Sequence, residues 1–258
     1  MIDQNLLRLV VEAGQVERGD AVIEVGPGTG TLTEELLSRG AEVWAVEIDR
    51  ELATLLREKF AGQAAFQLIE ADALAAKHAL NPALLELIGR LGRENRVVRL
   101  VANLPYNIAS PLVIELLIAR VSLLAFTVQK EVAQRLRAAA GTEEYGAISV
   151  MAQLLSRVEL LRTLPRQAFW PAPKVESCIV RMSLEDRLGA SARNFGQFVQ
   201  GIFASRRKTL RNAVANLGID PEGVLAAVGL EGRPRPEELA PEAFLGLYHA
   251  AVSAGWGS

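Results

Sequence analysis

The sequence predicts an α/β protein with a mostly parallel sheet covered on both faces by helices, followed by a small all-helical domain. Two observations carry this expectation. Short apolar runs alternate with amphipathic segments along the first half of the chain, which is how successive strand–helix units read. After Gly141 the alternation breaks down, and beyond a polar stretch over 184–192 only short helix-like segments follow. The expected division is one domain over 1–186 and a second over 187–258.

The elements follow in order. Residues 6–13 read as a short amphipathic helix and 21–25 as an apolar strand. Residues 31–39 read as a helix ended by Gly40, 43–46 as a second strand and 50–59 as a helix. Strands are expected at 65–69, 97–101 and 123–128, and helices at 82–88, 111–119 and 131–140; Pro111 suits a first helical turn. Residues 147–156 read as a helix, and 158–161 with 177–182 as a closing strand pair around a Pro-rich loop at 169–173. Helices are expected over 195–203, 208–217, 221–228 and 241–253. The polar, glycine-bearing stretches 77–81 and 89–95 read as mobile connections.

Composition bounds the function. With 258 residues, half of them hydrophobic, the chain can bury a large core and an appended domain. It has no apolar run of about 18 residues, as a membrane span requires, and charges at Asp3, Arg8 and Glu12 interrupt the opening segment, so no signal peptide is expected. Cys178 is the only cysteine, which excludes an internal disulfide and a metal–cysteine cluster and fits a reducing, cytoplasmic setting. His78 and His249 are the only histidines and lie far apart, so neither a metal centre nor a Ser-His-Asp machine is expected. The formal net charge is only −2, but its distribution is uneven: 187–219 holds Arg187, Arg193, Arg206, Arg207, Lys208 and Arg211 without an acid. A second acid-free window holds Arg162, Arg166 and Lys174. Such runs make either a phosphate-binding face or a solvated helix face.

The most informative tetrapeptide is Asn103-Leu104-Pro105-Tyr106, at the exit of an apolar strand. The Asn103 carboxamide and a nearby carbonyl can accept hydrogens from an exocyclic amine, and the Tyr106 ring can stack on a flat base. Upstream, Gly26-Pro27-Gly28-Thr29-Gly30 joins a strand to a helix. A dinucleotide fingerprint needs Gly-x-Gly-x-x-Gly, whereas Thr31 stands here where the third glycine would be. Glu24, just ahead of the turn, suits the sulfonium and ammonium charges of S-adenosylmethionine (SAM) better than a pyrophosphate. An ordinary tight turn is the plainer alternative. Glu47, ending the second strand, can accept from both ribose hydroxyls, a role it would play equally for NAD. Asp72 can accept from a cofactor adenine amine or cap a helix. These features all sit where parallel strands leave a sheet, the edge at which open α/β folds bind ligands.

With these motifs in place, the chain resembles the ribosomal RNA adenine dimethyltransferase family over nearly its whole length. The segments 24–33, Glu47, Asp72 and 103–106 resemble the family's successive SAM motifs. Gln129-Lys130-Glu131-Val132-Ala133, Tyr145-Gly146, the stretch from Phe169 to Ser177 and the basic stretch from Phe203 to Asn212 resemble further family segments. The resemblance implies a Rossmann-like class I SAM methyltransferase with a seven-stranded sheet. It implies SAM held by Glu24, Gly26, Gly28, Gly30, Glu47, Ile48, Asp72, Ala73 and Asn103, with S-adenosylhomocysteine as product. Asn103, Leu104, Pro105, Tyr106 and Phe169 would hold the target adenine; core packing is the other reading of Phe169. Lys174, Arg206, Arg207, Lys208 and Arg211 would contact RNA.

The implied reaction is dimethylation of the N6 of two adjacent adenines near the 3′ end of small-subunit rRNA, in an immature subunit, by a monomer without metal or membrane. A large-subunit adenine methyltransferase and a weakened assembly factor of the same fold are the alternatives. In the family a basic arm ending Gly-Gln-Asn-Phe-Leu precedes the fold; Met1 falls at that Leu and Gln4-Asn5 is out of register, so the chain is expected to lack the arm.

Overall fold

A computed structural model of the protein describes residues 4–169, 174–204, 208–230 and 234–257. In chain order the elements are α1 (Gln4–Ala13), β1 (Ala21–Val25), α2 (Thr31–Ser38), β2 (Glu42–Glu47), α3 (Arg50–Lys59), β3 (Phe66–Glu70), β4 (Leu74–Ala76) and β5 (Ala79–Leu80). They continue with α4 (Pro82–Arg93), β6 (Val98–Asn103), α5 (Ala109–Ile118), β7 (Leu123–Gln129), α6 (Lys130–Leu136), α7 (Ala147–Leu155), β8 (Ser156–Leu164) and β9 (Ser177–Leu184). Four helices follow: α8 (Ala192–Phe203), α9 (Leu210–Ala215), α10 (Pro221–Ala227) and α11 (Pro241–Ser253).

Seven strands form one sheet in the order β3-β2-β1-β6-β7-β9-β8, and β4-β5 make a separate hairpin. The five strands from β3 to β7 run parallel, whereas β9 is antiparallel to β7. Every residue of β1 is buried, as a strand covered on both faces requires. Because β1 pairs with both β2 and β6, the chain order reverses beside it, and the exits of β1, β2 and β6 line the same sheet edge.

Packing groups the chain into two units. The first comprises 1–133 and 157–184 and the second 134–156 and 185–258. The sequence divides the chain once, at 186; packing groups α7 with the later helices because it packs on α8 and α11. The second unit has an aromatic core. Phe198 packs edge-on to Tyr248 and Trp256, and Phe203 stacks on Phe244 at 5.5 Å between ring centroids. Such pairs contribute about 0.5–1.5 kcal/mol each beyond their area.

The expected loop over 89–95 is mostly helix. α4 runs through Gly89 and Gly92 to Arg93 and buries Leu84, Leu87, Ile88 and Leu91. That apolar face outweighs a propensity cost of about 1 kcal/mol per glycine. The stretch 77–81 holds β5 and the N-cap of α4, Asn81, whose Oδ1 accepts from the Ala83 N–H at 3.0 Å. α6 stops at Leu136 rather than 140. Side chains of α7 take carbonyls at and just past its end: Ser149 Oγ donates to Arg135 O at 2.6 Å and Gln153 Nε2 to Ala138 O at 2.8 Å. Among the described residues no helix is long and apolar enough to cross a membrane.

One ion pair ties the entry of β1 to β6. Arg99 Nε donates to Asp20 Oδ2 at 2.7 Å with both side chains 13% exposed, and Arg99 also reaches Gly14 O at 3.3 Å. Asp20→Ala leaves a mostly buried guanidinium without its acid. The expected loss is about 2 kcal/mol of unfolding free energy, read from the urea midpoint; an unchanged midpoint would show that water replaces the pair at no cost.

Candidate active site

The glycine turn is held from two sides. The Gly26 N–H donates to Val46 O at 3.0 Å, which fixes the exit of β1 to β2. Gly26, Gly28 and Gly30 have φ of 70°, 60° and 80°, left-handed values that side chains disfavour. A Cβ on Gly26 would lie 3.1 Å from Pro105 Cγ, and one on Gly30 2.7 Å from Phe60 Cε2, whereas one on Gly28 would meet nothing within 4 Å. The turn therefore packs tightly at its two ends and faces open space at its middle.

Glu47 closes β2 and is 5% exposed. Its Oε2 accepts from the Gly28 N–H at 3.4 Å and its Oε1 from the Asp49 N–H at 3.0 Å. Asp49 in turn caps α3, accepting from Glu51 and Leu52 N–H groups. Ile48, between them, is 65% exposed, an apolar side chain presented beside the carboxylate rather than to the core. Asp72 is exposed and accepts from the Leu74 N–H at 3.0 Å; it caps the turn into β4 rather than a helix. Ala73 beside it is buried.

Glu24 is the penultimate residue of β1, 1% exposed, and its Oε2 accepts from Thr33 Oγ at 2.6 Å. Burial pushes its carboxyl up from 4.5 to about 8; the Thr33 hydroxyl opposes this and the Glu47 carboxylate adds to it.

Asn103 ends β6, half-buried, and its carboxamide oxygen accepts from the hydroxyl of Thr127, the residue opposite it on β7. Leu104 is buried, while Pro105 is exposed and its carbonyl accepts from the Ile108 N–H at 3.3 Å. Tyr106 is half-buried with its hydroxyl 2.7 Å from Ser177 Oγ. Phe169 takes the core position of its two readings: it is 6% exposed in the apolar cluster that holds Leu6, Leu7, Val10 and Ile179.

Glu24, Asn103 and the segment from Gly26 to Thr29 line one cavity of about 310 Å³, with Leu7, Val10, Thr31, Leu32 and Leu52 completing its wall. Among the described residues of that wall the only charged one is an acid, Glu24, and none is Lys or Arg. A pyrophosphate finds no counter-charge among them, whereas a cation carrying an apolar arm fits, so the donor set suits SAM. Among the described residues no group of three or more His, Cys, Asp or Glu is placed to hold a metal. Of the expected RNA contacts, Lys174 and Lys208 are exposed, and Arg211 pairs with Glu222 at 2.6 Å. Arg206 and Arg207 lie outside the described residues.

Comparison with known proteins decides the family, since the family described as ribosomal RNA adenine dimethylase matches residues 1–246. The chain belongs to the ribosomal RNA adenine dimethylase family. Relatives named ribosomal RNA small subunit methyltransferase A include one from Pelotomaculum thermopropionicum, 36% identical over 99% of this chain and 90% of its own length. Another, from Magnetococcus marinus, is 38% identical over 96% of this chain and 87% of its own. Among solved structures, a dimethyladenosine transferase from Plasmodium falciparum superposes with a TM-score of 0.78 at 23% identity, covering 98% of both chains. The 23S rRNA methyltransferase ErmE superposes with a TM-score of 0.65 at 26% identity, covering 97% of this chain and 98% of its own. As an rRNA adenine dimethylase the protein is a SAM-dependent methyltransferase of Rossmann-like fold.

Within this dimethylase, motif reading assigns no role to three hydroxyls, although Thr33 and Ser177 lie inside the family-like segments 24–33 and 169–177. Thr33, Thr127 and Ser177 each hold a motif side chain, but from positions nine to 71 residues away along the chain. Only the sheet register, which sets Asn103 opposite Thr127, contains a usable signal.

The Glu24 carboxyl sets a pH dependence. Unfolded, it loses its proton above about 4.5; folded and ligand-free, it keeps it to about 8. Its contribution to stability is complete below the lower value and is lost as pH rises towards the upper one. Glu24→Gln is expected to flatten that fall in thermal-melt profiles of the ligand-free protein, whereas an identical slope in the variant would show that Glu24 ionises freely.

Proposed function

We propose that the protein transfers methyl groups from SAM to the N6 of two adjacent adenines near the 3′ end of small-subunit rRNA, two on each. The observation that carries the reading is that Asn103 and the glycine turn line the same cavity. SAM supplies an electrophilic methyl group on a sulfonium. The residues around the turn bind it: Glu24 faces the cationic end, Glu47 accepts from ribose hydroxyls, Ile48 offers an apolar surface to the adenine, and Asp72 and Ala73 border it.

An adenine amine is a poor nucleophile because its lone pair is delocalised into the ring. Asn103 Oδ1 has a second lone pair beyond the one that Thr127 occupies, and it accepts one amine hydrogen. The backbone carbonyl of Leu104 or Pro105 is the second acceptor; that of Pro105 takes the Ile108 N–H on one lone pair and keeps the other. Two acceptors favour a pyramidal nitrogen with its lone pair aimed at the methyl carbon. Orientation then supplies much of the rate, as it does when reacting atoms are held about 3–3.5 Å apart. No strong base is needed, since the amine proton becomes acidic as the new bond forms and passes to solvent. The Tyr106 ring stacks on the base, a contact worth about 1–3 kcal/mol.

The choice of small-subunit rRNA rests on the names of the relatives and on the basic helical region. Lys174, Arg206, Arg207, Lys208 and Arg211 would hold phosphates and set the register of the RNA, while the base contacts choose the target. The proposed setting is an immature small subunit in the cytoplasm, met by a monomer.

Asn103→Ala tests the assignment. Methyl transfer to undermodified small-subunit RNA is expected to fall by about 10²-fold or more, as when a donor or acceptor aimed at the reacting group is removed. Calorimetry is expected to find SAM affinity within a few-fold of wild type. Equal turnover in the variant would reject Asn103 as the amine acceptor.

A further inference from the structure

The loop that leads into β9 ends on a buried hydroxyl that reaches the proposed base-stacking ring. Ser177 opens β9, is 0% exposed and pairs in register with Gln129, the last residue of β7. Its Oγ lies 2.7 Å from the Tyr106 hydroxyl, 71 residues away in sequence. The neighbouring residue is held as well: the Lys130 N–H donates to Glu176 O at 3.0 Å, and Lys130 Nζ meets the Glu176 carboxylate at 2.8 Å. The oxygen that Tyr106 meets is thus mounted at the end of an antiparallel ladder.

We propose that Ser177 is a positioning residue that fixes the plane of the Tyr106 ring for the incoming adenine. The inference rests on the methyl-transfer reading above for its purpose, but not for its geometry. A tyrosine is attached to the backbone at one end only, and its ring swings about χ1 and turns about χ2. A hydrogen bond at the phenolic oxygen fixes the far end and so limits χ1. The phenolic O–H conjugates with the ring and prefers the ring plane, so a partner at hydrogen-bond distance limits χ2 as well. Ser177 can donate or accept, and so can the phenol, so the tether forms in either sense.

A ring already set in the stacking plane loses less freedom when the base arrives, and the adenine amine then lands in register with Asn103. Plain core filling does not account for the pair, because alanine at 177 and phenylalanine at 106 would fill almost the same space. The buried hydroxyl at 177 and the phenol at 106 together read as a tether from the loop to the site.

The test uses the full-length protein with Ser177→Ala, Tyr106→Phe, the double variant and Ser177→Thr. Methyl transfer on undermodified small-subunit RNA is measured beside SAM affinity and melting temperature. The expected result is a fall in kcat of about tenfold in each single variant, equivalent to about 1.4 kcal/mol. SAM affinity and melting temperature stay near wild type. The double variant is no slower than either single one, and Ser177→Thr recovers most of the rate. Losses that multiply in the double variant, or a Ser177→Ala enzyme with wild-type kcat, would overturn the proposal.

A second readout needs no activity. The chain has only three tyrosines, so the Tyr106 ring can be followed by NMR with ring-labelled tyrosine. Faster ring flipping in Ser177→Ala supports the tether, and unchanged flipping rejects it. Should wild type methylate no small-subunit RNA, the reading of function fails while the ring measurement still decides Ser177.

Discussion

The close approach of Gly26 to Pro105 is the constraint on which the site depends. The two residues leave neighbouring parallel strands, and the space a Cβ would need at Gly26 ends 3.1 Å from the proline ring. A side chain at 26 would be strained at a φ of 70° and would require the proline ring to give by a few tenths of an ångström. With hydrogen alone there, the turn and Asn103 share one cavity wall. On the proposed reading, that shared wall would bring donor and target together, as transfer between two bound molecules requires.

Around that contact the charges are arranged by burial. Glu24 sits in the sheet at the cost of holding its proton in the ligand-free state, while Glu47 stays at the strand end where backbone N–H groups can bond it.

Much of this was legible in the residues. Strand β1, helix α3 and helix α11 have the boundaries that periodicity and capping assign, because each ends at a strong local signal: the glycine turn for β1, the Asp49 cap for α3, Pro241 for α11. Motif spacing also placed Glu24, Glu47 and Asn103 at one sheet edge. What local reading missed has a common cause. Gly89 and Gly92 look like helix breakers until the apolar face of α4 is packed, and Asp72 looks like a helix cap until a hairpin follows it. Phe169, which its Pro-rich setting offers as a binding ring, is buried in an apolar cluster shared with α1 residues. The grouping of α7 with the C-terminal helices, and the contacts of the Thr127 and Ser177 hydroxyls, arise from segments far apart along the chain.

The most direct measurement is to map the methyl groups. Small ribosomal subunits that lack adenine dimethylation are incubated with the protein and methyl-labelled SAM, and the RNA is digested and read by mass spectrometry. The account predicts N6,N6-dimethyladenosine at two adjacent positions near the 3′ end of the small-subunit RNA. Label found only in large-subunit RNA, or on an atom other than an adenine N6, would contradict it.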